Sequence, residues 1–127
     1  MVVDDNVDAA RSLALILRRW GHIVQTAYDG PSALEAAQTN QPEVVLLDIG
    51  LPGIDGYEVA RRLRCQPECA AMLLVAITGY GQADDRQRAL EAGFDRHFTK
   101  PLDPEALKAL LSAAPPGAPP QGASARA

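Results

Sequence analysis

Two uninterrupted apolar runs, Val44-Val45-Leu46-Leu47 and Met72-Leu73-Leu74-Val75-Ala76-Ile77, stand out against segments whose apolar positions recur every three or four residues. Short continuous runs of this kind predict strands buried on both faces of a parallel sheet. Periodicity alone would also allow a buried helix. The short length and the Gly/Pro-rich sequence after Asp48 favour a strand. Near the start, Ala10, Leu13, Ala14, Leu17 and Trp20 fall on one helical face, while Asp8, Arg11, Arg18 and Arg19 fall elsewhere. That predicts an amphipathic helix capped by Asn6 and ended by Gly21, with Trp20 in a packing role.

The remaining elements follow the same logic. His22 to Ala27 is β-branched enough for a short strand. Asp29-Gly30-Pro31-Ser32 opens a helix, with Pro31 early, where a missing N–H costs nothing. Ala33, Leu34, Ala36 and Ala37 give it an apolar face, and Thr39-Asn40-Gln41-Pro42 closes it. Gly56 to Arg64 predicts a third helix, interrupted by Pro67. Ala83 to Ala92, with Gly93 after it, predicts a fourth, and Arg96 to Thr99 a short last strand. Asp103-Pro104-Glu105 starts a final helix whose buried side is Leu107, Leu110 and Leu111. Met1-Val2-Val3 falls short of a typical strand of about 5–6 residues, so the first strand is expected to be cut short or to start before the sequence given.

Strands and helices thus alternate five times. The expected fold is α/β, a doubly wound parallel sheet with helices on both faces. At 127 residues, with 47% hydrophobic and 22% charged content, the chain has the make-up of one ordinary globular domain. The expected boundaries are a domain at 1–113 and a Pro/Ala/Gly-rich tail or linker at 114–127, which has no large apolar residue. A net charge of −4 argues against direct nucleic-acid binding. No stretch is long and apolar enough to span a bilayer. Asp4 and Asp5 stand where an export signal would carry basic residues, so a cytoplasmic setting is expected. Cys65 and Cys69 lack a second ligand pair for zinc and read as two free thiols.

Chemistry enters at the ends of the strands. In open parallel sheets, ligands bind beyond the carboxyl ends of the strands. Asp4 and Asp5 end the first predicted strand, Asp48 the third, Thr78 the fourth and Lys100 the fifth. Asp48 alone could be an ordinary turn residue. Several charges converging on one rim point to a shared purpose. Clustered carboxylates repel one another and raise each other's pKa. A hard divalent cation with oxygen ligands, Mg²⁺, relieves this. A carboxylate beside a metal, a lysine and a hydroxyl suits a phosphoryl acceptor.

Asp4-Asp5-Asn6, the segment from Asp48 through Leu51-Pro52-Gly53 to Asp55-Gly56, Ile77-Thr78-Gly79 and Phe98-Thr99-Lys100-Pro101 together resemble the receiver domain of two-component response regulators. The resemblance covers roughly residues 1–112, and its weight lies in four motifs occurring in order. It implies a flavodoxin-like (βα)5 fold with strand order 2-1-3-4-5. It also implies roles. Asp48 would be the phosphoacceptor. Asp5, Asp48 and the Gly50 carbonyl would ligate Mg²⁺, with Asp4 acting through a water. Lys100 and Thr78 would bind the phosphoryl group, Lys100-Pro101 would be cis, and Thr78 would move on activation. The partner would be a histidine kinase or phosphotransfer domain, with a downstream output protein or domain as a further partner.

One position departs from the family pattern. His97 stands three residues before the lysine, where the family usually has Tyr or Phe as a switch. It is either a partly exposed strand residue or a replacement for that switch. Tyr80 and Gly50 flank the site, the first able to cover it, the second leaving it open. The expected activity is signalling, limited to self-phosphorylation and autodephosphorylation rather than turnover of an external substrate. Two alternatives are an aspartyl-phosphate phosphohydrolase and a receiver-like binding module independent of phosphorylation. The first usually needs an acid two residues past the nucleophile, where Gly50 stands; the second would be expected to have lost a site residue.

Overall fold

The computed structural model describes residues 1–79 and 83–112, the side chains of 83–85 excepted. The Tyr80 and 114–127 expectations lie outside the described residues. The elements are β1 (Val2–Val3), α1 (Val7–Arg19), β2 (Thr26–Ala27), α2 (Gly30–Asn40), β3 (Val44–Asp48), α3 (Gly56–Cys65), a 3₁₀ turn (Pro67–Cys69), β4 (Leu73–Thr78), α4 (Ala83–Ala92), β5 (Arg96–Thr99) and α5 (Pro104–Ser112). All pairings are parallel and the order is β2-β1-β3-β4-β5. This is the expected fold and strand order.

The two apolar runs are buried because each alternate residue has its own core. Val45, Leu47, Leu74 and Ala76 face α2, α3 and α4 through Ala33, Ala37, Val59, Ala60, Leu63, Ala89 and Ala92. Val44, Leu46, Leu73, Val75 and Ile77 face α1 and α5 through Ala10, Ala14, Leu17 and Leu107. Trp20 packs at the margin of this second core, with the Lys108 ammonium 5.6 Å from its ring.

Local capping explains where the helices start. Asn6, Asp29 and Asp55 accept from the backbone N–H three residues on, at 3.1, 2.8 and 3.0 Å, so each helix that follows a rim loop begins at a fixed point. Gly21 and Gly93 follow α1 and α4 with φ of 95° and 109°, the left-handed conformation that glycine adopts without strain.

The second strand is shorter than expected. Residues 22–25 are not in the ladder, and Ile23 is 98% exposed. A strand needs a partner, and β1 offers only Val2 and Val3; Gln25 contributes just its carbonyl, to Val2 N at 2.8 Å. Cys65 is exposed, Cys69 is buried, and both are free thiols. Burial pushes the Cys69 thiol pKa up.

Arg64, on the polar face of α3, ties four segments together. Its guanidinium donates to the carbonyls of Gly93 (2.8 Å), Ala70 (2.9 Å) and Met72 (2.8 Å) and to Asp95 Oδ2 (2.7 Å). Asp95 Oδ2 also accepts from Leu74 N at 2.9 Å, at the start of β4. Arg64→Ala strands three carbonyls and a carboxylate, and should destabilise the fold by about 3 kcal/mol. That corresponds to a melting temperature lower by roughly 10 °C, readable by circular dichroism. Arg64→Lys keeps the charge but not the fork, so it should recover only part of the loss.

Candidate functional site

The parallel sheet delivers four strand ends to one rim. β1 runs into Asp4, whose N–H still pairs with Ala27 O at 3.1 Å. β3 ends in Asp48, held in the ladder because Ile49 N donates to Ile77 O at 3.1 Å. β4 ends in Thr78, whose carbonyl accepts from Lys100 N at 2.8 Å and so fixes where the lysine leaves β5. The Lys100–Pro101 peptide bond is cis.

These side chains meet. Asp4, Asp5 and Asp48 each offer a carboxylate oxygen within 4.8 Å of the others. Asp4 and Asp48 are buried and Asp5 is exposed. Lys100 Nζ lies 3.4 Å from Asp48 Oδ2 and 3.7 Å from Asp4 Oδ2. Two of the three carboxylates therefore share one ammonium, carried on a side chain that is 41% exposed. An all-oxygen, net-negative set of this kind fits a hard cation such as Mg²⁺.

The electrostatic strain shows on Asp4. Burial raises its pKa above the ordinary carboxylate range, and the charge of Asp48 adds to the rise. The Asn6 N–H, which donates to Asp4 Oδ1 at 2.9 Å, and Lys100 oppose it only in part. A raised folded-state pKa favours the protonated form, so its stabilisation is complete below the unfolded pKa of about 4 and is lost as pH rises through the folded pKa. Asp4→Asn keeps the acceptor for Asn6 and carries no charge. In divalent-free buffer it should melt above the wild type at neutral pH, and the gap should close on acidification. Thermal melts across the carboxylate pH range test this; a constant gap would count against it.

Asp48 makes the local bond of a turn residue and also faces the lysine across the rim. Its Oδ1 accepts from Gly50 N at 3.0 Å, as a turn residue's would, while its Oδ2 faces Lys100. The turn bond fixes the side chain for the site. Thr78 makes its two hydrogen bonds to β5, with its Oγ1 3.2 Å from His97 Nε2 and 3.5 Å from Phe98 O. His97 is half-buried on β5, with its Nε2 toward Thr78. The contact of Thr78 with Phe98 O joins residues 20 apart in the chain and depends on the fold.

A family model for the response regulator receiver domain matches residues 1–112. The chain belongs to that family. Among its relatives, this receiver is 37% identical over 113 residues to the alkaline phosphatase synthesis transcriptional regulatory protein PhoP of Bacillus subtilis. The match covers 89% of this chain and 46% of PhoP, so the receiver spans less than half of that relative's length. A crystal structure of a putative response regulator from Chloroflexus aurantiacus superposes with a TM-score of 0.83 at 32% identity, covering 87% of this chain and 91% of the other. The receiver domain of sensor histidine kinase PA1611 from Pseudomonas aeruginosa, with a magnesium ion coordinated in its active site cleft, superposes with a TM-score of 0.79 at 28% identity, covering 86% and 89%. Among the described residues, no helix of this receiver is long and apolar enough to cross a membrane.

Proposed function

We propose that this receiver accepts a phosphoryl group on Asp48 from the phosphohistidine of a histidine kinase or phosphotransfer domain. One observation carries the reading: a buried carboxylate in a cluster of three, with one ammonium 3.4 Å away. An Asp48 oxygen forms the new O–P bond as the donor's P–N bond breaks, and the imidazole nitrogen leaves with the electron pair. Lys100 balances negative charge on the phosphoryl oxygens. Gly50 N–H holds the carboxylate in its attacking orientation.

Asp5, Asp48 and the Gly50 carbonyl would hold Mg²⁺, with Asp4 bonded through a coordinated water. When bound, the ion would neutralise charge on the cluster and on the transferred group. The magnesium in the cleft of the PA1611 receiver, together with this chain's own oxygen donors, supports that assignment. After transfer, the hydroxyl of Thr78 would turn to the phosphoryl oxygens. His97 would follow in place of the usual aromatic switch, and the α4–β5–α5 surface would present the change to an output partner.

The test is incubation with a small phosphoramidate donor and Mg²⁺, followed by intact mass and peptide mapping. One phosphoryl group per chain, on the peptide containing Asp48, is the expected result. Continuous release of phosphate from many substrates would instead indicate a hydrolase, and no adduct would indicate a binding module that works without phosphorylation.

A further inference from the structure

The Thr78 hydroxyl has one proton to donate and sits within hydrogen-bond distance of a ring nitrogen. Both of its bonds, to His97 Nε2 and to Phe98 O, run to β5. The residues are placed for this by register. Ala76 pairs with His97 and Thr78 with Thr99, so the Thr78 and His97 side chains emerge on the same face of neighbouring strands. Ala76, opposite the ring, is small and fully buried, which leaves the ring room to lie along the strand toward Thr78. A phenyl ring at position 97 would fill the same space and offer nothing to a hydroxyl.

From this geometry we infer that His97 is a positioning residue that tethers Thr78 to β5, so that a phosphoryl group on Asp48 must win the hydroxyl from the imidazole. The inference rests on the phosphoacceptor reading above and adds to it a specific competition. Whichever tautomer the ring holds, moving Oγ1 toward Asp48 breaks the 3.2 Å contact. The ring therefore sets how readily the phosphorylated arrangement forms. A net hydrogen bond of about 0.5–1.5 kcal/mol makes the tether worth roughly a twofold to tenfold change in that equilibrium.

Beryllofluoride with saturating Mg²⁺, a mimic of the phosphoryl group, measures it through bound ¹⁹F resonances on the full chain. His97→Phe should bind the mimic about twofold to tenfold more tightly than the wild type. His97→Gln can put a polar atom near the position of Nε2 and should stay close to the wild type. His97→Asn falls short of that position and should behave like His97→Phe. In a Thr78→Ala background, His97→Phe should change nothing, because there is no hydroxyl left to release. Equal or weaker binding by His97→Phe overturns the tether, as does an effect that persists without the Thr78 hydroxyl. If His97→Phe fails to fold, the contrast between His97→Gln and His97→Asn decides, and equal binding by those two overturns it. A wild-type protein that takes up no beryllofluoride sinks the phosphoacceptor reading and the tether with it; a wild-type protein that binds, with unchanged variants, sinks the tether alone.

Discussion

Asp48→Asn should take up no phosphoryl group under conditions that label the wild-type chain to completion. The amide lacks the anionic oxygen that must form the O–P bond. It keeps an oxygen that can accept from Gly50 N, so the loop after β3 should hold its shape. The substitution also removes one of three crowded carboxylates. Activity should therefore fall to background while the melting temperature stays level or rises, the trade expected where a site is built against stability. Intact mass and a thermal melt on the same sample check both halves. A variant that labels as the wild type does would move the acceptor elsewhere, and a variant that unfolds would leave loss of activity without chemical meaning. Asp48→Ala is the comparison, since it also deletes the acceptor for Gly50 N and should lose stability that the amide retains.

Gly56→Ala should damage both fold and site from a position that carries no functional group. A Cβ there would stand 2.6 Å from Ile49 Cα and 2.7 Å from the Asp48 carbonyl oxygen. Both are backbone atoms, so no side chain can swing away. Gly56 N also donates to Ile49 O at 3.0 Å, which closes the loop between β3 and α3. Relief requires α3 or the Asp48 segment to move, at about 2–4 kcal/mol, toward the upper end of overpacking costs. A displacement of the acceptor by about 1 Å could slow phosphoryl uptake on the order of 10²-fold. Urea unfolding and labelling rate should fall together. Gly53→Ala is the contrast: nothing lies within 4 Å of its Cβ, and only its φ of 75° opposes the change. It should cost about 1 kcal/mol, consistent with backbone strain alone. Equal effects at the two glycines would refute the steric account.

The sequence made legible whatever depends on near neighbours. The apolar run 44–47 and the run 72–77 became β3 and β4 because each residue finds a core on its own side of the sheet. Asn6 and Asp29 each cap a helix through a bond three residues away. The rim of Asp4, Asp48, Thr78 and Lys100 followed from alternation plus the rule that parallel strands end on one side. What stayed hidden involves partners far along the chain. The span 22–25 has strand-like residues but stays outside the ladder, because β1 offers only Val2 and Val3. Arg64 reads as one more charge on a polar helix face, and its partners at positions 70, 72, 93 and 95 appear only when α3, β4 and the turn after α4 are brought together. The His97 ring likewise acquires a partner only through the β4–β5 register.

The guanidinium of Arg64 has a mechanical consequence. It grips Gly93 O, immediately beyond the last turn of α4, and Asp95, just before β5. A rod clamped at one end swings rather than slides. Any reorientation of α4 that accompanies a change at Thr78 must therefore pivot about its carboxyl-terminal heel, with displacement growing toward the amino-terminal end, the end that follows β4.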